Sequence, residues 1–498
     1  MLRFSPNQNL AHLIRWFESE DDAFATAQAQ DRPLAMFLGA FWCRYCQRMD
    51  EEAFSDRENM ALLNAYFVAL RVENAKRPDI DARYNLNGWP TIAFLTPNGK
   101  LLAASNYLPT AEFKELLLNV YMEYEQDKEE LRAAVQNANP DLPTPQSFVR
   151  LQPEVCLKDI AESIMGTADH DNGGYGNGQK FIHADANEFL LSRYEQIHDV
   201  RFLDHVRLTL ERMRGSPIYD ENEGGYFRTT TGADWVQPHR EKLLVEQAGL
   251  LLNCLHLFRI TGSEHHARMA EEIIAYLDRK LFDSTKPAFF GCEDFLRVEA
   301  RSSAEEFFTI IDDCIYTDAN ALAAIGYLDA AAMLNRPEHE TRALQVLNFL
   351  WHHNRDEQRG MFHYFDNAPR IPGLLIDQAR MGIALVRGFD ATGDDSLLER
   401  ATNVANTIVA RLACAEGGYF DRGQSELGFF GPRLSLIDQN GMAASFFLML
   451  ADASKQAKYK DAAIAAFSAF PGDLASYGIH SAAFGQALSE WLKQEESE

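Results

Sequence analysis

Glycine pairs followed by an aromatic residue punctuate the last two thirds of this chain, at Gly173-Gly174-Tyr175, Gly224-Gly225-Tyr226 and Gly417-Gly418-Tyr419, with a weaker copy at Gly360-Met361-Phe362. Amphipathic helical stretches lie between them, about twelve from Glu154 to Lys493. A period of roughly 50 to 70 residues is one helical hairpin with its loops. A hairpin of this kind cannot bury its apolar face alone, so the pattern predicts hairpins stacked side by side and closed into an all-α toroid.

The first part of the chain has another pattern. Leu34 to Ala40 is a strand-like apolar run, followed by Cys43-Arg44-Tyr45-Cys46 and a helical pattern from Gln47 to about Tyr66. Phe67–Val72 and Thr91–Leu95 read as strands, and Asn98-Gly99 as a hairpin turn returning along Lys100–Ala104. A charged helical stretch runs from Ala111 to Ala138. Strand, helix, strand, hairpin is a mixed α/β order, expected to form a domain over 1–138. Three prolines at 140, 143 and 145 exclude regular structure, which sets a linker at 139–147 and the helical domain at 148–498.

Charge and composition exclude several classes. A formal net charge of −26 repels phosphate backbones and anionic lipid, so neither nucleic acid nor a membrane is expected as a partner. No apolar run approaches the roughly 20 residues that span a bilayer, and the start carries no apolar signal segment. Seven cysteines with one close pair make no disulfide framework, which points to a reducing interior and a cytoplasmic location.

A Cys-x-x-Cys pair serves as half a zinc site or as a redox dithiol. No second close cysteine pair is present to complete a zinc site, and the motif sits between an apolar strand and a helix start, where N–H groups favour a thiolate. Cys43 is then the attacking sulfur and Cys46 the resolving one. Trp42-Cys43-Arg44-Tyr45-Cys46 followed by Gly88-Trp89-Pro90-Thr91 resembles thioredoxin. That resemblance implies a cis Pro90 against the dithiol, with Trp42, Trp89 and Thr91 contacting substrate. Thioredoxins also carry a buried acid six positions before the first cysteine; here Phe37 stands there.

The resemblance reaches further. Lys76-Arg77-Pro78-Asp79-Ile80-Asp81, Phe94-Leu95-Thr96-Pro97, Asn172-Gly173-Gly174-Tyr175-Gly176, Pro238-His239-Arg240-Glu241-Lys242-Leu243-Leu244 and Leu374-Leu375-Ile376-Asp377-Gln378-Ala379 are similar to the spermatogenesis-associated protein 20 family. That likeness implies a thioredoxin-like domain followed by an (α/α)6 barrel akin to six-hairpin glycosidases and N-acylglucosamine 2-epimerases. This chain departs from the family at Arg44 and Gln47, where relatives carry His, and at Ala319, where they carry Trp.

Within the helical domain, Glu246, Asp318, Asp377 and Asp438 recur near the starts of alternate helices. If those helices form an inner ring, the carboxylates converge at one mouth, with Tyr175, Tyr226, Tyr419 and Phe362 lining it for a carbohydrate-like ligand. An acid in a first helical turn also simply complements the macrodipole, and a Gly-Gly-Tyr can be a turn with a packed ring. His239 is the candidate base for epimerase chemistry, against the alternative of a surface histidine. Adjacent His265-His266 and His352-His353 diverge on a helix, so no metal is expected, and no cofactor is indicated. Three functions remain in play. One is a thiol–disulfide oxidoreductase acting on protein disulfides or thiols, fused to a substrate-selecting toroid. Another makes the toroid a carbohydrate epimerase or glycoside hydrolase, with the first domain as sensor or docking module. The third is a protein-binding scaffold without chemistry.

Overall fold

A computed structural model describes residues 3–40, 42–137, 152–298, 306–424, 433–470 and 472–497. Two compact units divide the chain: the first takes the described residues before 138 together with 295–298, 306–309, 424 and 433, and the second takes the described residues of 152–294, 310–423 and 434–497. The proline-rich linker expected at 139–147 lies outside the described residues.

In the first unit the elements run β1 (Trp16–Phe17), α1 (Glu20–Gln30), β2 (Leu34–Gly39), α2 (Arg44–Glu51), α3 (Arg57–Tyr66), β3 (Val68–Glu73), α4 (Pro78–Tyr84), β4 (Thr91–Leu95), β5 (Leu101–Ser105) and α5 (Thr110–Asn137). The sheet order is β1-β3-β2-β4-β5. β3 is parallel to β1 and β2, while β4 is antiparallel to β2 and β5. Every residue of β2 is buried, as the central strand of a sheet covered on both faces must be. Alternate β2 residues face opposite layers: Ala35 and Phe37 join Met49, Phe54 and Phe113, whereas Leu34, Met36 and Leu38 join Phe24 and Ile80. The expected hairpin is present, with Gly99 at φ 83° and its N–H donating to the Thr96 carbonyl at 2.9 Å.

One helix expected from Gln47 to Tyr66 is two. The chain leaves helical geometry at Glu52, and α3 restarts where the Asp56 carboxylate accepts from the N–H groups of Glu58 and Asn59, both at 3.0 Å. That N-cap overrides the continuous apolar periodicity.

Among its described residues the second unit has twelve α-helices, where about twelve were expected: α6 (Pro153–Met165), α7 (Ala184–Ile197), α8 (Val200–Arg214), α9 (Leu244–Thr261), α10 (Glu264–Lys280), α11 (Thr317–Met333), α12 (Pro337–His353), α13 (Leu375–Thr392), α14 (Asp395–Arg411), α15 (Ile437–Ser454), α16 (Lys458–Ser468) and α17 (Ala482–Ser497). Helices α7, α9, α11, α13, α15 and α17 each pack on the next, and α17 packs on α7, which closes the inner ring. Burial all round α11 and α15 explains why their apolar residues are not confined to one stripe. Short connections such as Gly262-Ser263, with Gly262 left-handed at φ 65°, turn α7, α9, α11, α13 and α15 into the outer helices α8, α10, α12, α14 and α16 at one end. Long loops lead back to the inner helices at the other. At one seam the inner helices meet backbone to backbone: a Cβ added to Gly441 of α15 would lie 2.5 Å from the Cα of Phe484 in α17.

Four of the long loops, those before α9, α11, α13 and α15, are held by the inner helix that follows. The Gln247 side chain accepts from the Tyr226 N–H (2.9 Å) and donates to its carbonyl (2.6 Å). Asn320 grips Phe289 in the same way (2.7 and 2.9 Å), Gln378 grips Met361 (2.9 and 3.0 Å), and Asn440 grips Tyr419 (2.8 and 2.9 Å). The residue equivalent to the loop tyrosines is therefore Met361 rather than Phe362, and Phe289 is a further copy with no glycine pair before it. Two fully buried lysines add a second tie: Lys180 binds Asp169, and Lys242 binds Asp220, each at 2.8 Å.

Candidate functional site

The dithiol sits where β2 ends. Cys43 is the N-cap of α2, and its sulfur accepts the Cys46 N–H at 3.2 Å, so the positive end of the helix dipole faces Cys43 Sγ. Both cysteines are free thiols and both are buried, Cys43 at 7% exposure and Cys46 at 4%. Cys43, the attacking sulfur, is the slightly more open of the two. Burial, then the hydrogen bond and charge of Cys43, push the Cys46 thiol well up, which keeps its proton in place until it is removed.

The Trp89–Pro90 bond is cis, as expected. Trp89 stands edge-on to Trp42, ring centroids 5.3 Å apart, and its Nε1–H donates to Asp81 at 2.8 Å. Thr91, expected to contact substrate, is fully buried and its hydroxyl donates to the Gly88 carbonyl at 2.8 Å; it shapes its own loop instead. The Asn106 amide, which sequence reasoning missed, donates to the carbonyls of Gly88 and Pro90, both at 3.1 Å.

Phe37, in the position of the thioredoxin acid, packs under the guanidinium of Arg71, its register partner on β3, at 4.5 Å. Arg71 forms a fork with Asp50 at 2.7 and 2.9 Å, and Asp50 is 1% exposed. Burial raises the Asp50 carboxyl above its ordinary range, only partly offset by Arg71. The buried acid of this layer, Asp50, stands on α2 and is tied to Arg71 and to the Ser5 N–H, not to Cys46.

In the helical unit the four predicted acids occupy first turns of α9, α11, α13 and α15, all at the long-loop end, with Asp185 of α7 as a fifth. Arg380 of α13 reaches across the ring to Asp185 at 3.6 Å. Asp377 is fully buried, and both its oxygens bond His363 Nδ1, at 3.0 and 3.1 Å. Burial pushes Asp377 up to about 6 against the opposing pull of His363, with Asp318 adding to the rise. Asp318, His363 and Asp377 bring three ligand atoms within 4.8 Å of one another, a donor set that suits a divalent cation as well as acid–base chemistry. Burial raises Glu246 to about 8, opposed by Arg228 and reinforced by Asp185, and it raises Asp438 too.

Other expected residues are placed differently. Tyr175, Tyr226 and Tyr419 are buried at 6%, 1% and 2% exposure, and Phe362 is buried as well, so these rings pack inside the loops instead of lining the mouth. His239 has a half-exposed side chain with Nδ1 4.0 Å from Glu241, outside the Asp377 group. His363 stands where His239 was expected, and nothing in the spacing of His363 and Asp377 announced the pair.

Known proteins resemble each unit. Residues 6–142 match the Thioredox_DsbH family model, described as a protein of unknown function. Human spermatogenesis-associated protein 20 is 26% identical over 318 residues, 58% of this chain and 39% of that protein, so the matched stretch spans about two fifths of the relative. The thiol:disulfide interchange protein DsbD of Yersinia pestis is 31% identical over 102 residues, 19% of this chain and 17% of that protein. Among solved structures, a D-mannose isomerase superposes with a TM-score of 0.55 at 11% identity, covering 72% of this chain and all of the isomerase, a likeness of fold. The chain thus joins a thioredoxin-like domain to an (α/α)6 toroid with the fold of that isomerase.

Proposed function

We propose that this chain, a homologue of the spermatogenesis-associated protein 20 proteins, exchanges thiols and disulfides at Cys43 and Cys46 and uses its toroid to bind the molecule it acts on or with. The observation that carries this reading is Cys43 at the head of α2, its sulfur accepting the Cys46 N–H beside the Trp89–Pro90 loop. In the reductive direction Cys43 Sγ attacks a substrate disulfide, forming one S–S bond and releasing one substrate thiol. Cys46 then gives up its proton and attacks Cys43 Sγ, which releases the second thiol and leaves a Cys43–Cys46 disulfide. Its substrates would be protein disulfides or thiols. Cys46→Ser should trap the mixed disulfide on Cys43, visible as a shifted band on a non-reducing gel that dithiothreitol removes, whereas Cys43→Ser should trap none. Equal labelling of both variants by a disulfide substrate would count against the reading.

A second reading is favoured by the buried His363–Asp377 pair. Asp377 holds the Nδ1–H tautomer of His363, which puts the basic lone pair on Nε2, and Glu246, raised to about 8, keeps a proton at neutral pH. A base and an acid on one rim suit proton removal beside the carbonyl of an open-chain sugar. D-mannose, D-glucose and cellobiose incubated in D2O should gain deuterium at C2, about 100-fold more slowly with His363→Gln. Undiminished exchange in that variant, or none with the unaltered chain, would remove this reading.

A further inference from the structure

We infer that Glu73, the last residue of β3, accepts the Cys46 proton in the second half of thiol exchange. The inference deepens the thiol–disulfide reading given above and rests on it.

Cys46 has to lose a proton where water hardly reaches, since only 4% of it is exposed. β2 supplies no base, because Phe37 fills the place of the thioredoxin acid. Asp50, one turn further along α2, is held by two Arg71 nitrogens and by the Ser5 N–H.

Strand register brings another carboxylate to the thiol. Successive side chains of a strand point to opposite faces. Ala35 and Phe37 of β2 and Ala69 of β3 lie in the layer of Cys43 and Cys46, and Arg71 covers the Phe37 ring. Val68, Leu70 and Val72 lie in the other layer. Glu73 therefore belongs to the Cys46 face. Its register partner on β2 is Gly39, and a Cβ added to Gly39 would stand 3.3 Å from Cys46 Sγ. The sulfur thus rests over Gly39, with Glu73 alongside on the next strand. The backbone fixes that strand end: the Glu73 carbonyl accepts the N–H groups of Lys76 (3.1 Å) and Arg77 (3.0 Å), and the Asn74 N–H donates to the Gly39 carbonyl at 2.8 Å. Neighbouring charges are engaged elsewhere, Arg77 with Asp79 and Glu20, and Asp81 with the Trp89 Nε1–H.

The Glu73 charge reaches the thiol. After burial and Cys43 it adds to the rise of Cys46, against the pull of the Ala40 N–H. A carboxylate that repels a thiolate stops doing so once it carries the proton, so transfer to Glu73 removes the repulsion as it makes the nucleophile. Glu73 is itself half-buried, which lets the proton pass on to water. In the mixed disulfide, Glu73 takes the Cys46 proton as Cys46 Sγ attacks Cys43 Sγ. The Cys43–Cys46 bond forms, the bond to the substrate sulfur breaks, and that sulfur leaves with the electron pair as a thiolate.

The test is stopped-flow mixing of the reduced full chain with dithiobis(nitrobenzoate), whose two coloured thiolates leave in turn, the first as Cys43 attacks and the second as Cys46 resolves. Every chain carries Cys156→Ser and Cys414→Ser, which removes the two cysteines that are not buried. Cys46→Ser should release one thiolate and so identifies the first phase. Near neutral pH, Glu73→Gln should slow the second phase about 100-fold and leave the first within about twofold, which also shows that it folds. The second phase of that variant should climb about tenfold per pH unit, following the Cys46 thiolate, while the chain with Glu73 stays level from neutral pH upward. Glu73→Asp should restore the level profile and a rate within about tenfold of the original. An unslowed second phase in Glu73→Gln, equal slowing of both phases, or a slowed second phase with no new pH dependence overturns the inference and leaves the exchange reading standing. No second release from the chain with both Cys43 and Cys46 removes the exchange reading and this inference with it.

Discussion

Arg71→Met will lower the stability of the first unit by about 3–5 kcal/mol, the cost of leaving one member of a buried ion pair without its partner. Asp50 is 1% exposed and Arg71 bonds both its oxygens, so the substitution strands a carboxylate in an apolar layer beside Phe37. Methionine keeps much of the volume that the guanidinium fills over the rings of Phe4 and Phe37, at 4.7 and 4.5 Å, which separates the charge effect from a packing effect. Hydrogen exchange of the β3 amides in urea reads the loss directly. Two companion results discriminate further. Adding Asp50→Leu should restore most of the stability, since replacing both partners removes the stranded charge. The deficit of the single variant should also shrink on acidification. The folded-state pKa of Asp50 already lies above its ordinary value and rises further without Arg71, so the folded state binds the proton more tightly and gains stability as pH falls toward the ordinary carboxyl range.

Gly441→Ala will cost roughly 3 kcal/mol, the top of the overpacking range, because the obstacle is backbone and cannot rotate away. The new methyl would sit 2.5 Å from the Cα of Phe484, and only separation of α15 from α17 relieves it. Both are inner helices, so the strain opens the ring, and amides of α15 and α17 should exchange faster than those of α9 and α11. By contrast, Gly262→Ala at the surface turn after α9 meets nothing within 4 Å and should lose only about 1 kcal/mol through its positive φ.

Much of this molecule can be read in its residues, and the misses share a cause. The central strands, the dithiol and the helices of the second unit follow from apolar periodicity and turn residues, which are local signals, and cis Pro90 from the likeness to thioredoxin. The break between α2 and α3 is local too, but Ser55-Asp56 sits inside an apolar pattern that reads through it. β1 and α1 escaped because two residues make too short a strand to show a period, although Ser19 caps α1. What lies in no local pattern is partnership. Asp50 meets Arg71 across 21 positions, and His363 meets Asp377 from a strand rather than a helix face. The loop tyrosines were expected at the mouth because aromatic rings beside acids suggest sugar binding; Tyr226 and Tyr419 are instead held by main-chain bonds to Gln247 and Asn440, and the Tyr175 hydroxyl donates to Asn187.

Those amide grips have an implication for how such a protein can change. Gln247, Asn320, Gln378 and Asn440 hold Tyr226, Phe289, Met361 and Tyr419 by backbone atoms alone, and the held residue differs from loop to loop. A clasp on the main chain is indifferent to the side chain it carries and to the length of the loop beyond it. Descendants of such a ring can therefore rewrite one rim loop at a time, testing new ligands while the scaffold stays as it was.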